Sequence, residues 1–270
     1  MSNAIIITQL YSKGGIILSL FDNFLSIKKD QPTVQNNPVG SVPNEELHRK
    51  ISLRKEMVLD EVKRKNITAT IARVVFVLDH SGSMIPMYKD GTVQNVLERI
   101  FPVAMCFDDN SELEFYWFDS EYKELPSVTT ANLNGYVQNV ILSKKEHFGG
   151  TCYAPVMEQI VKRYGIKQKA NIPTFVIFIT DGGNSDRANA KRAIIEASHY
   201  NIFWKFIGIG STKFDFLESL DTLKGRFIDN ANFISVNNLN EIDDKQLYAL
   251  ILEEYDEWLN RCRINNIPVQ

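Results

Sequence analysis

Three segments of the chain place carboxylates and hydroxyls at spacings that suit a bound cation. In D-H-S-G-S, Asp79 is followed by Ser81 and Ser83. Thr151 closes the segment H-F-G-G-T, and Asp181 opens the segment D-G-G. Carboxylate and hydroxyl oxygens are ligands that hard divalent cations such as Mg²⁺ accept. Taken alone, D-x-S-x-S fits equally well a turn at a strand end with a serine that caps a helix.

The elements that precede these segments favour the cation site. Residues 74–78 are an unbroken apolar run that ends at Asp79, and 174–180 form a second such run before Asp181. Short runs of this kind are typical of buried strands in a parallel sheet. Because the carboxyl ends of neighbouring parallel strands meet at one crevice, we expect the five oxygen-bearing residues to converge there.

The rest of the chain alternates between apolar runs and helical patterns. Further strands are predicted at 112–118, 202–209 and 232–236, with 121–125 as an antiparallel edge strand. Helices are predicted at 44–65, 92–107, 133–142, 155–164, 186–200, 214–223 and 243–263, with a loop at 80–90 and a kink or split at Pro102. This alternation predicts a Rossmann-like, doubly wound α/β fold with a mostly parallel central sheet and helices on both faces.

The composition changes along the chain predict four parts. Residues 1–43 are an N-terminal extension and linker, 44–69 an amphipathic helix leading into the domain, 70–263 the domain itself, and 264–270 a tail. The apolar stretch 5–27 is broken by Lys13 and two glycines and has no basic region or cleavage site, so it does not fit a signal peptide. The simpler interpretation is a pair of short elements that dock on the main body or on a preceding region.

Bulk composition excludes several classes of protein. The 270 residues carry a net charge of -3, which gives no reason to expect nucleic acid as a partner. The cysteines Cys106, Cys152 and Cys262 are far apart, so neither a disulfide framework nor a zinc site is expected, and a reducing compartment is favoured. No stretch reaches the roughly 18 consecutive apolar residues of a membrane span.

At this point the motifs carry a family resemblance. D-H-S-G-S, with the later G-G-T and I-T-D-G-G, resembles the metal-ion-dependent adhesion site of von Willebrand factor type A (vWA) domains. The resemblance covers about residues 70–262 and implies that five residues bind Mg²⁺ directly or through water, with Mn²⁺ or Ca²⁺ as possible substitutes: Asp79, Ser81, Ser83, Thr151 and Asp181. It also implies a partner protein that offers a carboxylate to the metal.

A narrower resemblance concerns three further segments. I-S-L-R-K, K-D-G-T-V-Q-N-V-L-E-R-I and F-D-D-N-S-E-L are similar to bacterial tellurium-resistance (TerF-like) vWA proteins. This implies a cytoplasmic, metal-dependent protein-interaction module of a stress-response system. His80 departs from the small residue usual at its position. We expect His80 to face solvent or to lie behind the metal ligands rather than to bind the ion itself. Its ring would then either point away from the ion or add a titratable group near it.

Two other functions stay open, a metal-dependent phosphoester hydrolase and a metal sensor or store. Against an enzyme, Ser81 stands where an aspartyl-phosphate mechanism would place a second acid, and Cys152 has no evident base partner. The sequence contains neither a phosphate-binding P-loop nor a G-x-S-x-G elbow. We therefore expect no enzymatic activity.

Two sets of residues outside the site have simple structural interpretations. Three charged helix residues are predicted to be exposed: Arg99, Lys191 and Arg192. The aromatic residues of the strands are predicted to lie in the core: Phe115, Tyr116, Trp117, Phe118, Phe203, Trp204 and Phe206.

Overall fold

The structure is a computed structural model that describes residues 42–67, 71–238 and 241–269. Most of the predicted extension and linker, 1–43, lies outside the described residues, as does part of the connection before the first strand. In the described part of the chain, no helix is long and apolar enough to cross a membrane.

A six-stranded sheet forms the centre of the fold. Its strands are β1 (Arg73–Asp79), β2 (Leu113–Phe118), β3 (Tyr122–Val128), β4 (Thr174–Thr180), β5 (Ile202–Ile209) and β6 (Ala231–Val236). The spatial order is β3-β2-β1-β4-β5-β6, with β3 antiparallel to β2 and the other pairs parallel. The predicted mostly parallel sheet and its antiparallel edge strand are thereby confirmed. The chain leaves β1 toward β2 and later returns to β4 on the other side of β1, so the topological switch point lies between β1 and β4.

Helices cover both faces of this sheet. They are α1 (Val42–Arg64), α2 (Ile85–Lys89), α3 (Thr92–Phe107), α4 (Ala154–Ile160), α5 (Arg187–Ala197), α6 (Asp215–Asp221), α7 (Asp244–Ile251) and α8 (Tyr255–Ile264). A core containing Phe76 and Leu78 joins one face of the sheet to α1, α3, α7 and α8. A second core containing Val75 and Val77 joins the other face to α4, α5 and α6. Alternate residues of β1 therefore serve different cores, as the two-residue period of a strand requires.

Helix α3 is continuous through Pro102, where the sequence predicts a kink or a split. Because proline has no N–H, the carbonyl of Glu98 four residues earlier loses its partner within the helix. Arg54 of α1 donates to that carbonyl, with Nη1 3.3 Å from the oxygen. A contact between two helices thus replaces the hydrogen bond that the proline removes.

Arg99, predicted as an exposed charge, is instead buried, with 4% of its surface exposed. Its Nε lies 2.6 Å from Asp244 Oδ1, and Arg54 Nε lies 2.8 Å from Oδ2 of the same carboxylate. Burial acts to raise the pKa of Asp244, but the hydrogen bonds and charges of Arg54 and Arg99 outweigh it and hold that pKa below its ordinary value. The prediction failed because α1 and α7 cover a face of α3 that a lone amphipathic helix would leave in water.

Other helical predictions also change in detail. The single helix predicted at 243–263 is two helices, α7 and α8, because Glu254 between them adopts a left-handed backbone with φ of 64°. The predicted loop 80–90 contains a 3₁₀ turn, Gly82–Met84, and the short helix α2. The helix predicted at 133–142 is a π-helical segment, Val137–Ile141, followed by a 3₁₀ turn, Leu142–Lys144. The helix predicted at 155–164 is α4 with a π-helical continuation, Val161–Lys167.

Candidate metal site

Asp79 lies at the switch point of the sheet, and its carboxylate meets Thr180 of β4. The parallel register pairs Leu78 with Ile179, which sets Asp79 level with Thr180 on the same face. Thr180 Oγ1 donates to Asp79 Oδ2 at 2.6 Å, and the Ser81 N–H donates to Oδ1 at 2.7 Å. Asp79 is fully buried, and each of its carboxylate oxygens accepts a hydrogen bond from another group of the protein.

The two serines lead from Asp79 to the second carboxylate. Ser81 Oγ lies 3.1 Å from Ser83 Oγ, and Ser83 Oγ donates to Asp181 Oδ1 at 2.9 Å. Ser81 is buried, Asp181 is half-buried, and Ser83 is exposed. The predicted convergence of Asp79, Ser81, Ser83 and Asp181 is therefore seen in the described structure. The side-chain oxygens of Ser81, Ser83 and Asp181 form a row, which we call the oxygen row, and Ser83 is its exposed member.

Backbone contacts bring the loop of Thr151 to the same place. Gly149 pairs with Ser81 as an isolated parallel bridge, and the carbonyl of Thr151 accepts hydrogen bonds from both the N–H and the hydroxyl of Ser185. Ser185 belongs to the loop that begins with Asp181. Thr151 thus stands between the β1 loop and the β4 loop, although its own hydroxyl makes none of the hydrogen bonds that link the other four residues.

Gly149 is required because the loop after β2 approaches it closely. A Cβ atom at this position would lie 2.5 Å from the carboxylate of Asp119, which is too close for any side chain. Asp119 also accepts the Cys152 N–H through its carbonyl, at 2.7 Å. The segment of Gly149 and Gly150, which we call the glycine loop, therefore packs between the ends of β1 and β2, and this fixes the position of Thr151 directly after it.

His80 does not face solvent, so that part of the expectation is wrong. The residue is 2% exposed, and its ring stacks on Phe148 with centroids 4.0 Å apart and on Trp117 with centroids 4.5 Å apart. Tyr88 packs edge-on against both His80 and Phe148, and its hydroxyl donates to the carbonyl of Asp79 at 3.0 Å. Because strand residues alternate, His80 points to the face opposite Asp79, where it holds the glycine loop through Phe148.

The electrostatics of the site favour a bound cation. Burial raises the pKa of Asp79 to about 6, with hydrogen bonds from Ser81 and Thr180 acting against it and the charge of Asp181 adding to it. Burial also raises the pKa of Asp181, opposed by its hydrogen bond from Ser83. Both carboxyl groups thus lie where their charged forms are disfavoured, and a positive ion nearby would reverse that.

The spacing of the oxygens is that of hydrogen-bonded groups, and it is also the spacing of adjacent ligands around a small divalent ion. Two ligands at right angles around Mg²⁺, each about 2.0–2.1 Å from it, lie about 2.9 Å apart. The two oxygen pairs formed by Ser81 with Ser83 and by Ser83 with Asp181 are separated by 3.1 Å and 2.9 Å. In the described part of the chain, no group of three His, Cys, Asp or Glu side chains is placed to hold a metal. Hydroxyl oxygens would therefore have to complete the ligand set.

Sequence reasoning missed two residues that support the site. Thr180 binds Asp79, and the Tyr153 hydroxyl lies 3.1 Å from Thr180 Oγ1. The signal for Thr180 was present, since a polar residue ends an otherwise apolar strand next to Asp181. Cys152, for which the sequence shows no base partner, places its thiol 3.2 Å from the hydroxyl of Ser185, which is not a base.

Comparison with known proteins identifies relatives of the whole domain. Residues 71–268 match the family model described as the vWA domain found in the TerF C terminus. The chain is 41% identical over 220 residues to the uncharacterised protein YcbR of Bacillus subtilis, covering 80% of this chain and 89% of YcbR. It is 26% identical over 222 residues to the human collagen alpha-5(VI) chain, covering 77% of this chain but only 8% of the collagen chain.

Solved structures share the fold at low sequence identity. Proximal thread matrix protein 1 of the mussel byssus matches with a TM-score of 0.53 and 16% identity, over 69% of this chain and 48% of that one. The manganese-loaded TRAP protein of Plasmodium vivax matches with a TM-score of 0.51 and 15% identity, over 70% of this chain and 74% of that one. At these identities the likeness concerns the fold alone.

Proposed function

Because the chain belongs to the TerF-like family of vWA domains, we propose that it is a metal-dependent protein-interaction module. In this proposal Asp79, Ser81, Ser83, Thr151 and Asp181 hold Mg²⁺, and the ion binds a carboxylate of a partner protein. We place the module in a tellurium-resistance or related stress response of the bacterial cytoplasm. The family description, which refers to TerF, supports that placement.

The row of oxygens from Ser81 through Ser83 to Asp181 is the observation that carries the proposal. Its separations of 3.1 Å and 2.9 Å match adjacent ligand positions around Mg²⁺, and Ser83 in the middle of the row is exposed. A partner carboxylate would approach from that side. The TRAP protein of the same fold is manganese-loaded, which supports a divalent ion here and leaves the choice of ion open.

The surroundings of Asp79 argue against the hydrolase alternative. A nucleophilic carboxylate needs an oxygen free to attack a substrate, but Asp79 is fully buried and both of its oxygens accept hydrogen bonds. Each oxygen has a second lone pair, which suits contact with a metal or with its water molecules. We therefore assign Asp79 to the ligand set and propose no catalytic residue.

Calorimetric titration with Mg²⁺, Mn²⁺ and Ca²⁺ tests the metal assignment. We expect the wild-type protein to bind Mg²⁺, Asp181→Ala to lose most of that affinity, and Asp60→Ala to behave like wild type. Asp60 is a suitable control because its side chain is 80% exposed on α1, a helix that supplies none of the candidate ligands. Equal Mg²⁺ binding by Asp181→Ala and wild type would refute the assignment.

A second measurement separates interaction from storage. We expect Mg²⁺ affinity to be weak alone and to improve when acetate or an acidic peptide supplies the missing carboxylate. Tight binding of the ion without any added carboxylate would point to a sensor or store instead. The biological placement is tested separately, by the growth of a strain lacking this gene on tellurite.

A further inference from the structure

Three basic residues lie in segments that contact or follow the loop beginning at Asp181. We name Arg187, Lys191 and Lys213 the basic patch. Within the described residues, none of the three takes part in an ion pair. Arg187 and Lys213 are exposed and Lys191 is half-buried. Their charges are therefore available to a molecule that approaches the metal site.

Contacts place this patch beside Asp181. Arg187 Nη2 lies 3.6 Å from where a Cβ atom would stand on Gly183, two residues after Asp181. Thr212 donates to the carbonyl of Asp181 at 2.9 Å, and Lys213 follows it directly. Arg187 and Lys213 thus both belong to segments that touch the loop carrying the carboxylate of Asp181.

One aromatic ring supports two of the three bases. The guanidinium carbon of Arg187 lies 5.3 Å from the ring centroid of Phe216, and Lys191 Nζ lies 5.8 Å from the same centroid. Contacts of this kind orient a cation without neutralising it, so the N–H groups remain able to bind an anion. Phe216 is itself buried and follows Lys213 by three residues.

Of these bases, only Arg187 lies in the first turn of a helix, where the backbone carries partial positive charge. Asp186 at the N-cap position of α5 and the acids Asp215 and Glu218 in the first turn of α6 stand near the bases in sequence, but in the described structure none of these acids forms an ion pair with them. Positive charge accumulated beside a metal site would attract a group with several negative charges.

We infer that the partner presents a cluster of carboxylates, one for the metal and others for the basic patch. This inference rests on the proposed function, because it takes the metal as the anchor of the first carboxylate. A segment of the partner with successive Asp or Glu residues fits this requirement. An isolated acidic residue on an otherwise neutral surface would use the metal but leave the patch without a role.

Two synthetic peptides of equal length test the inference. One carries three successive glutamates, and the other carries one glutamate and two glutamines. Fluorescence anisotropy in Mg²⁺ should show the triacidic peptide binding about tenfold more tightly at low salt, since each exposed ion pair contributes up to about fivefold. The difference should shrink at high salt, where screening weakens exposed charges.

Charge variants assign the effect to the patch. The triple variant Arg187→Gln, Lys191→Gln, Lys213→Gln should bind the triacidic peptide about tenfold more weakly and the single-acid peptide within about twofold of wild type. Arg192→Gln is the matched control. It lies on the same helix at about 140° from Arg187, whereas Lys191 is only about 40° away. We expect Arg192→Gln to bind both peptides as wild type does.

The outcomes separate this inference from the proposed function. Metal-dependent binding of both peptides with equal affinity would overturn the acidic-cluster partner and leave the metal site intact. Binding of the triacidic peptide that survives EDTA but fails in the triple variant would keep the patch and refute the metal anchor. Stronger competition by inorganic polyphosphate than by the triacidic peptide would also overturn the inference, in favour of a phosphate polyanion.

Discussion

Replacement of Thr180 by valine tests the design of the candidate site most directly. The substitution keeps the shape of the side chain but removes the hydroxyl that donates to Asp79 Oδ2 at 2.6 Å. Thr180 is fully buried, so water cannot take the place of the lost donor. We therefore expect Mg²⁺ affinity to fall while the fold is kept.

The size of the effect follows from the place of Thr180 behind a candidate metal ligand. Its hydrogen bond holds the carboxylate of Asp79 in one orientation. Removing a group that supports a metal ligand in this way usually weakens metal binding by about 10- to 100-fold, and we expect a loss in that range. Burial already raises the pKa of Asp79 to about 6, so protons compete with the metal for this carboxylate close to neutral pH.

The pH dependence gives a second readout. Removing a donor to the charged form raises the pKa of Asp79 further, so protons compete better with the metal in the variant. The affinity of the variant should therefore approach that of wild type as the pH rises from 6 toward 8, and the gap should be widest at the acid end.

Thr174→Val is the matched control for this experiment. Thr174 lies at the other end of β4 and is also buried, but its hydroxyl accepts from Arg73 Nη1 at 3.2 Å, away from the metal site. Isothermal titration calorimetry should give wild-type Mg²⁺ affinity for Thr174→Val and a weakened affinity for Thr180→Val. Equal affinities of the two variants would refute the role assigned to Thr180, and no Mg²⁺ binding by wild type would refute the metal site itself.

Three further predictions concern other parts of the fold. Phe148→Ala should lower Mg²⁺ affinity about tenfold by releasing the loop of Thr151 from His80, whereas Phe227→Ala, which removes the exposed stack on His199, should leave calorimetric titrations unchanged. Burial lowers the pKa of Lys205 to about 7, so between pH 7 and 10 the unfolded chain binds a proton at this residue that the folded protein does not bind. The free energy of unfolding of wild type should therefore rise by up to about 1.4 kcal/mol per pH unit over this range, and urea unfolding of Lys205→Met should not show that rise. Asp244→Asn should lower the free energy of unfolding by about 2–3 kcal/mol at pH 7 in the same assay. This difference from wild type should shrink below about pH 4, because Arg54 and Arg99 hold the pKa of Asp244 low and the ion pairs are lost when the carboxylate is protonated. A pH-independent deficit in Asp244→Asn would contradict the ionic explanation.

The strands were the part of the fold that the sequence predicted best. The bounds predicted for β4 and β5, and for β1 with Asp79, agree with the structure, because each apolar run is buried on both faces and stops abruptly at polar residues. Local sequence could not predict the break between α7 and α8. Glu254 adopts a left-handed conformation there, and no glycine or proline in the sequence indicates a break at this point.

Side-chain environments were predicted less well than elements. Arg99 has the composition of a surface charge, and only the packing of α1 and α7 against α3 makes it a buried partner of Asp244. Four of the five candidate ligands converge as predicted, since strand ends are set by topology, and hydrogen bonds link them. Thr151 is placed by a glycine loop, whose path depends on the contact of Gly149 with Asp119 and on the stack of Phe148 on His80, and no local sequence pattern indicates these two contacts.

The end of β1 fixes both halves of the candidate site because its successive residues face opposite ways. Asp79 points to the face of Thr180 and Tyr153, and through the register with β4 it is tied to the loop that carries Asp181. His80 points to the other face, where its stack with Phe148 restrains the loop that carries Thr151. A small residue at position 80 would leave Phe148 without that partner, and the Thr151 loop would then depend on its backbone contacts and on the edge contact of Phe148 with Tyr88. The packing of the His80 ring on Phe148 and Trp117 therefore gives a structural reason for its departure from the usual motif.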